Sequence, residues 1–354
     1  MGQISQTDAR NLFTKRIMDV YQERIPVKRF LGMFFPGRFS PTKEVSIEVE
    51  RGYEKVAVDV VRGSEGHFHS FSKSTEKIFV PPMWRGYINA TELDLYDRVL
   101  GAQGTDNSRL FAALLNSVAD KVMEVQKTQE RAKEIQCAQV LQTGIVTLVN
   151  GDNIDFKRRA ASIVDLVGAG GYWTTGATDM FAQFRAAGDF LRKFGKFAGK
   201  RFVCILGGDA LSTLLANSTF LSRQNVFHMS LDSVVAPSME VEGALYHGTL
   251  TGGPYQFELW TYPEFYDLSG TSTPYIAENY AVVIPQKPRF VYASCLVPQL
   301  AVNESGAPIA PQTGEYVYGE YIDSRKAKHD FDVQSAGLPI PVAVDQIYTM
   351  KVKA

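Results

Sequence analysis

The sequence predicts an α+β protein in which one long helix lies between two groups of β-strands. Apolar residues recur three or four positions apart from about Asn107 to Gln142, which is the period of an amphipathic helix. Alternating apolar and polar residues at 43–62 predict a β-hairpin before that helix. A helix, a buried strand and a second helix are predicted in turn from 179 to 216. The region of about 170–285 is therefore expected to form a compact α/β or α+β domain.

Length and composition are those of an ordinary globular protein. The 354 residues suggest about two domains, and 45% hydrophobic against 21% charged residues is enough for a real core. A formal charge of -1 argues against tight, phosphate-driven binding of nucleic acid, but is compatible with a wall that faces it. Cys137, Cys204 and Cys295 are scattered, which favours a reducing, cytoplasmic setting over a disulfide framework or a zinc cage. Neither a signal peptide nor a membrane span is predicted.

The long helix is predicted to be a strut. At 1.5 Å per residue it would span roughly 50 Å, more than a compact domain of this size needs. Its polar positions mix both signs of charge: Lys121, Glu124, Lys127, Glu130, Arg131, Lys133 and Glu134. We predict a solvated helix face from this mixture. The sharper alternative is a surface that lines a DNA-filled space, where mixed charge would keep the duplex from sticking.

Two segments precede the first hairpin. Residues 7–21 are predicted to form a short helix that Pro26 stops. Residues 29–41 are rich in phenylalanine, glycine and proline without a regular period. We expect this aromatic arm to bury itself against another part of the structure or against a neighbouring subunit.

The first hairpin carries the candidate functional surface. Its apolar positions alternate with polar ones over 45–49 and again over 56–60, on either side of a turn at 51–53. Because an isolated hairpin is marginal in water, its regular apolar face must lie on its own domain or on another chain. The candidate inter-subunit contacts are Val45, Ile47, Val49, Arg51, Tyr53, Val56 and Val58.

Further elements are predicted on both sides of the long helix. An extended segment at 76–80 precedes Pro81, and a second hairpin is expected from 145–149 and 154–156 around an Asn-Gly turn. The central region is expected to hold helices at 179–197 and 209–216, the latter capped by Asp209, with a strand at 201–206 between them. A third hairpin at 245–250 and 255–260 follows. Tail strands are expected near 290–293, 316–321, 331–334 and 348–352.

No set of residues for catalysis is visible. Gly207-Gly208 lies between a strand and a helix, where a phosphate can rest on backbone N–H groups, but no GxGxxG or GxxxxGK[ST] pattern accompanies it. His67 and His69 share one side of a strand without a third metal ligand at an identifying spacing. The sequence therefore predicts no catalytic, metal-binding or cofactor-binding residues. An α/β enzyme with a small ligand near Gly207-Gly208 stays open as an alternative.

The order of these elements, together with several short segments, resembles a known family. The segments are Phe34-Phe35-Pro36 leading to Thr42-Lys43-Glu44-Val45, Phe79-Val80-Pro81-Pro82, Gln136 to Leu141 with Thr143-Gly144, Leu259 to Asp267, and Phe331 to Ala336 with Pro341. They are spread over nearly the whole chain. The chain resembles the lambda-type major capsid protein E family of tailed phages.

The resemblance implies a Hong Kong 97-like capsid fold and a division of the chain. The parts are an N-terminal arm (1–39), an extended loop or E-loop (40–95), a peripheral domain with the long helix as its spine (96–169), an axial domain (170–285) and return strands of the peripheral domain (286–354). The extended loop is expected to lie over a neighbouring subunit. No catalytic residue takes part in this work.

The implied function is that of a head protein. Hexamers and pentamers of the chain would form the icosahedral shell around double-stranded DNA, without sequence-specific binding and without a membrane. Expected partners are further copies of the chain, a decoration protein, a scaffolding protein and the portal. Shells would assemble in the cytoplasm of the host bacterium and end in the virion.

The sequence leaves two alternatives. One variant of the fold joins subunits through a Lys–Asn isopeptide bond, for which Lys55 is the best-placed lysine, but no matching Asn and Glu set is visible. A tail or tube component of a phage is an alternative to a head protein, although it would not require so long a helix between two hairpins.

Overall fold

The structure is a computed structural model that describes eleven stretches of the chain. They are residues 29–42, 44–49, 75–91, 107–148, 152–167, 171–175, 178–220, 239–268, 270–297, 314–323 and 328–354. The predicted helix at 7–21, the turn at 51–53, the strand at 56–60, His67 and His69 lie outside these stretches. The same holds for Lys55.

The described residues form a mixed α/β fold. Its α-helices are α1 (Asn107–Gln142), α2 (Met180–Lys193) and α3 (Gly208–Ala216). The strands before α2 are β1 (Gly37–Phe39), β2 (Val45–Val49), β3 (Thr75–Phe79), β4 (Met83–Thr91), β5 (Ile145–Thr147), β6 (Asn153–Asp155) and β7 (Ile163–Asp165). The strands between α2 and residue 285 are β8 (Arg201–Leu206), β9 (Met239–Val241), β10 (Ala244–Gly252), β11 (Tyr255–Thr261), β12 (Phe265–Leu268), β13 (Thr271–Pro274) and β14 (Tyr280–Pro285). The tail holds β15 (Phe290–Ser294), β16 (Val317–Asp323), β17 (Lys328–Pro341) and β18 (Tyr348–Lys351).

Helix α1 has the bounds that its periodicity predicts. Its 36 residues correspond to a length of about 54 Å at 1.5 Å per residue. The helix ends at Gln142, and two residues later Gly144 has a φ of 74°, in the left-handed region that favours glycine. The N–H of Gly144 donates to the carbonyl oxygen of Val140 at 3.0 Å. The chain then turns directly into the β5–β6 hairpin, which confirms the predicted second hairpin.

A five-stranded sheet lies along α1. Its order is β1-β15-β17-β16, and β4 pairs with β17 as well. Strand β17 is 14 residues long, so it pairs with β4 and β16 over its first half and with β15 over its last residues. Successive residues of β4 face solvent and α1 in turn. Tyr87 is exposed, whereas the backbone of Gly86 lies close to Val125 of the helix.

A seven-stranded sheet forms the second layer, in the order β7-β18-β14-β8-β11-β10-β9. Strands β8, β10, β11 and β14 come from the predicted central region of 170–285, and the β10–β11 pair confirms the third hairpin. Strands β7 and β18 come from outside that region, so the sheet crosses the boundaries at 169/170 and 285/286 drawn from the sequence. Strand β18 pairs with β14 because its apolar residues continue the buried faces of that sheet.

The seven-stranded sheet is covered on both faces. Along β8, Val203 and Ile205 point into a core shared with the end of α1, whereas Phe202, Cys204 and Leu206 point into a core with α2 and α3. This explains why 201–206 is an uninterrupted apolar run instead of an alternating one.

The helix caps differ from the prediction at one end. Asp179 caps α2, since its carboxylate accepts a hydrogen bond from the N–H of Ala182 at 3.3 Å. The expected cap at Asp209 is wrong. Gly207 precedes α3, and Asp209 lies in the first turn, where its carboxylate contacts the ammonium of Lys353 at 2.7 Å.

Candidate assembly surfaces

Strands β2 and β3 form the base of the segment predicted to be the extended loop. They pair antiparallel from Val45 opposite Phe79 to Val49 opposite Thr75, so residues 50–74 connect them. The sequence predicts 76–80 as a separate extended segment and 56–60 as the partner of 45–49. The structure supplies 75–79 as a partner of 45–49. Arg51, Tyr53, Val56 and Val58 lie outside the described residues, and only the backbone is described at Ile47 and Val49.

Val45 has a different environment from the one predicted for a contact between subunits. Its side chain is 8% exposed and belongs to the central core of its own chain. Its register partner Phe79 packs on Phe156 with ring centroids 5.2 Å apart. The base of the loop is therefore fixed to its own subunit at Val45.

The opposite side of the loop base is apolar and open. Ile78 is 62% exposed and Val80 is 50% exposed, and Phe39 on the neighbouring strand β1 is 58% exposed. Phe39 and Ile78 line one cleft of about 440 Å³. Large exposed apolar groups that lie together on a surface are typical of protein contact sites.

The aromatic arm is anchored on α1 by a buried carboxylate. Glu134 accepts hydrogen bonds from the backbone N–H groups of Leu31 at 2.7 Å and Gly32 at 3.0 Å. Its side chain is only 1% exposed, and burial raises its pKa to about 7 against the opposite effect of these hydrogen bonds. Two N–H donors at the start of a 3₁₀ turn thus meet a carboxylate that has little other solvation.

Aromatic packing completes the anchor. The Phe30 ring lies 5.4 Å from Trp260 and 5.7 Å from Tyr262, and Phe35 stacks on Phe290 at 5.0 Å. Phe30, Leu31 and Phe35 are buried, so this part of the arm packs within its own subunit, whereas Met33 stays exposed. The sequence left open whether the arm packs on its own domain or on a neighbour, and the structure answers this for 29–35.

A second buried polar group lies one residue earlier on α1. The Lys133 ammonium contacts Glu315 at 3.1 Å and lies 3.8 Å from the centre of the Tyr316 ring. Arg29 of the arm reaches the same Glu315 oxygen at 3.2 Å. Burial lowers the pKa of Lys133 to about 8, against the opposite effect of Glu315. This network joins the arm, α1 and the segment before β16.

The predicted solvated face of α1 is wrong for its C-terminal half. Glu130, Lys133 and Glu134 are buried, whereas Glu124 and Arg131 keep exposed side chains. The reason is that the arm, the five-stranded sheet and one face of the seven-stranded sheet surround this half of the helix. The local charge pattern carries no information about those distant elements.

The Gly207-Gly208 turn is occupied by the protein's own backbone. A Cβ at Gly207 would lie 2.4 Å from the carbonyl oxygen of Ala277. The N–H groups of Gly207 and Ala210 donate to the carbonyl oxygens of Tyr280 and Glu278 at 2.9 and 2.8 Å. The turn is a packing site between α3 and the start of β14, and it does not offer these donors to a ligand.

Two other kinds of feature are absent from the described part of the chain. No group of three or more His, Cys, Asp or Glu side chains there has the arrangement of a metal site. Among the described helices, none is both long and apolar enough to span a membrane.

Comparison with solved structures identifies the class of fold. A protein described as a prophage capsid protein of Escherichia coli CFT073 superimposes with a TM-score of 0.64 at 14% identity, covering 99% of this chain and 100% of that one. A phage-related protein of Bordetella bronchiseptica RB50 gives 0.53 at 12% identity, with coverage of 95% and 96%. The mature capsid of bacteriophage PhiM1 gives 0.50 at 9% identity, with coverage of 93% and 88%. The chain therefore has the mixed α/β fold of phage capsid proteins.

Sequence comparison gives the family. The model for phage major capsid protein E matches residues 13–352, nearly the whole chain, and the chain belongs to that family. None of the curated proteins matches it. The protein is thus a phage major capsid protein, a structural protein of the virion that forms icosahedral shells, and not an enzyme. This excludes the alternatives of a ligand-binding enzyme and a tail component.

Proposed function

We propose that the chain assembles into hexamers and pentamers whose extended loops, residues 40–95, each cover part of a neighbouring subunit in a Hong Kong 97-like shell. The observation that carries this proposal is the loop base. Strands β2 and β3 are fixed to their own core at Val45, and they present Ile78 and Val80 outward beside Phe39. A neighbouring copy of the chain is the partner that a repeated shell supplies at this position.

The two sheets support an assignment of the peripheral and axial domains. Helix α1 with the five-stranded sheet forms the peripheral domain, with α1 as its spine. The seven-stranded sheet with α2 and α3 forms the axial domain, which points to the centre of each capsomer. We assign β7 and β18 to this axial domain because their hydrogen bonds join them to its sheet.

The shell's further partners follow from the family resemblance. We propose that it encloses double-stranded DNA, that a scaffolding protein and the portal take part in its assembly in the host cytoplasm, and that a decoration protein binds the finished head. Co-expression of the chain with each neighbouring phage gene tests these partners separately.

Shortening the loop tests the central claim. Removal of residues around Arg51-Gly52-Tyr53 is expected to leave the fold intact, because the β2–β3 base and its core contacts are kept, but to prevent closed shells. Particle mass by light scattering with negative-stain imaging provides the measurement, and circular dichroism of the subunit provides the control for folding. Normal shells from the shortened chain contradict the proposal.

A further inference from the structure

One end of the seven-stranded sheet carries a dense group of basic residues. The ten residues 192–201 connect the end of α2 to β8, and five of them are Arg or Lys with no Asp or Glu among them. Residues 286–289 follow β14 and add two more basic residues without an acidic one. We call these two segments the basic end. Since the whole chain has a formal charge of -1, the remaining residues are net negative.

The two segments meet through a buried glutamine. The side chain of Gln346 is 3% exposed, donates to the carbonyl oxygen of Gly195 at 3.0 Å, and accepts from the N–H of Arg289 at 2.9 Å. The N–H of Gln286 also donates to the carbonyl oxygen of Arg201 at 3.4 Å. These contacts hold both segments at the same end of the sheet, so their charges add on one surface.

The basic side chains point to solvent with few acidic neighbours. Lys193, Lys200, Arg201, Lys287 and Arg289 are exposed, and none of them forms an ion pair with another residue in the described part of the chain. Two nearby carboxylates bind groups outside the basic end: Asp345 binds Arg159 at 2.9 Å, and Asp189 accepts from Tyr255 at 2.8 Å. Glu258 accepts from Gln286 of the basic end itself at 3.1 Å.

Such an arrangement destabilises the folded subunit. Like charges on neighbouring exposed positions repel each other, and five of the seven basic side chains form no ion pair within the described residues that would offset their charges. A polyanion does offset them, because each ammonium or guanidinium group that meets a phosphate releases condensed counterions.

We propose that the basic end is the surface of the subunit that faces the packaged duplex and contacts its phosphate backbone. This inference rests on the proposed function, in which the shell encloses double-stranded DNA. The lysines of the basic end are point charges that bind phosphates without reading bases. A few such contacts in each subunit hold DNA weakly and are repeated by the symmetry of the shell. Under this proposal the basic end, and not the mixed-charge face of α1, is the surface that meets DNA.

The test compares two triple variants that remove equal charge. The first is K193Q/K200Q/K287Q at the basic end, and the second is K121Q/K127Q/R131Q on α1. Unassembled subunits of each are titrated with a fluorescent duplex of random sequence between about 50 and 200 mM salt. If each lysine neutralises one phosphate, the slope of log K against log salt falls by about 2.7 in the first variant, since B-DNA contributes about 0.9 for each contact. The slope of the α1 variant is expected to stay at the parent value.

Three results would overturn the inference. Equal slopes for the basic-end variant and the parent show that the patch is only a solvated surface. Tighter binding of polyglutamate than of the duplex assigns the patch to an acidic protein. Parent-like binding of added duplex by closed shells places the patch on the outer face. Failure of the parent to form shells at all contradicts the proposed function instead, and the titration of unassembled subunits does not depend on that result.

Discussion

Buried charges on α1 are the residue-scale feature with the largest energetic consequence. Glu134 and Lys133 are adjacent in sequence and both 1% exposed, yet they serve different neighbours. Glu134 binds backbone N–H groups of the arm, whereas Lys133 binds Glu315. Burial acts against the charged form of each group, so their pKa values move toward neutrality from opposite sides.

The pKa of Glu134 predicts a pH dependence of stability. Because burial raises that pKa from 4.5 to about 7, the folded chain holds a proton that the unfolded chain releases over this range. Folding stability from this group therefore falls as pH rises from about 4.5 to about 7, by about 3 kcal/mol in all. Glu134→Gln cannot titrate, so this pH dependence is absent from the variant. Urea unfolding of unassembled subunits at pH 5 and 7.5 measures the free energy of unfolding of both proteins. If the difference in that free energy between parent and variant is the same at both pH values, the prediction is contradicted.

Removal of the Lys133 side chain is expected to be costly. Lys133→Ala leaves a cavity and takes one of two cations from Glu315, so we expect a loss of about 3 kcal/mol in the free energy of unfolding. Lys133→Met keeps most of the volume without a charge and should lose less. Lys121→Ala, at an exposed position of the same helix, is the control and should stay within about 0.5 kcal/mol. Equal effects of the two alanine variants in chemical denaturation would count against the role of the network.

At the scale of elements, the close approach of β4 to α1 sets how the helix sits on its sheet. A Cβ at Gly86 would lie 2.3 Å from a methyl carbon of Val125. Val125 has a stiff, branched side chain, so it cannot simply rotate away. The strand therefore needs glycine at this position for reasons of space.

Gly86→Ala is accordingly expected to destabilise the subunit by about 2 kcal/mol through overpacking. The double variant Gly86→Ala with Val125→Ala should recover part of this loss, because it removes the methyl group that clashes. Gly37→Ala in β1 is the matched control, since nothing lies within 4 Å of a Cβ there. Thermal unfolding of five proteins, the parent, Gly86→Ala, Val125→Ala, the double variant and Gly37→Ala, measures the coupling. Additive effects of the two substitutions would show that the contact does not limit the packing.

At the scale of the whole molecule, the loop base divides its residues between two tasks. Val45 is buried in the subunit, whereas Ile78 pairs in the adjacent register with Ser46 and is exposed. One ladder of two strands thus combines an internal anchor with an outward apolar surface. Such a division allows folding and assembly to be changed separately.

Substitutions on this ladder should separate the two tasks. Ile78→Glu is expected to change the subunit's free energy of unfolding by less than about 0.5 kcal/mol but to reduce the yield of closed shells, because it places a charge in an apolar contact. Val45→Ala is expected to cost about 2 kcal/mol of stability instead, since it opens a small cavity. Denaturation of subunits and particle mass after assembly are the two measurements. Full shell yield from Ile78→Glu would remove Ile78 from the proposed contact.

Local patterns were sufficient for several of the elements and for the family. The period of 3.6 residues fixed helix α1 at 107–142, the apolar run fixed strand β8 at 201–206, and Asn150-Gly151 marked the second hairpin. Segments such as Phe79-Val80-Pro81-Pro82 indicated the capsid family, which the match over 13–352 confirmed. These features depend on neighbours within a few positions, so the amino-acid order contains them.

Burial and pairing across long distances were decided only by the tertiary structure. The sequence did not assign 75–79 as a partner of 45–49, it placed Lys133 and Glu134 in solvent, and it gave no sign that Gln346 joins 192–201 to 286–289. Each of these facts depends on which distant elements pack together. A charged residue on a helix has the same local pattern whether water or a second sheet covers it, and the free energy of that choice comes from the covering elements.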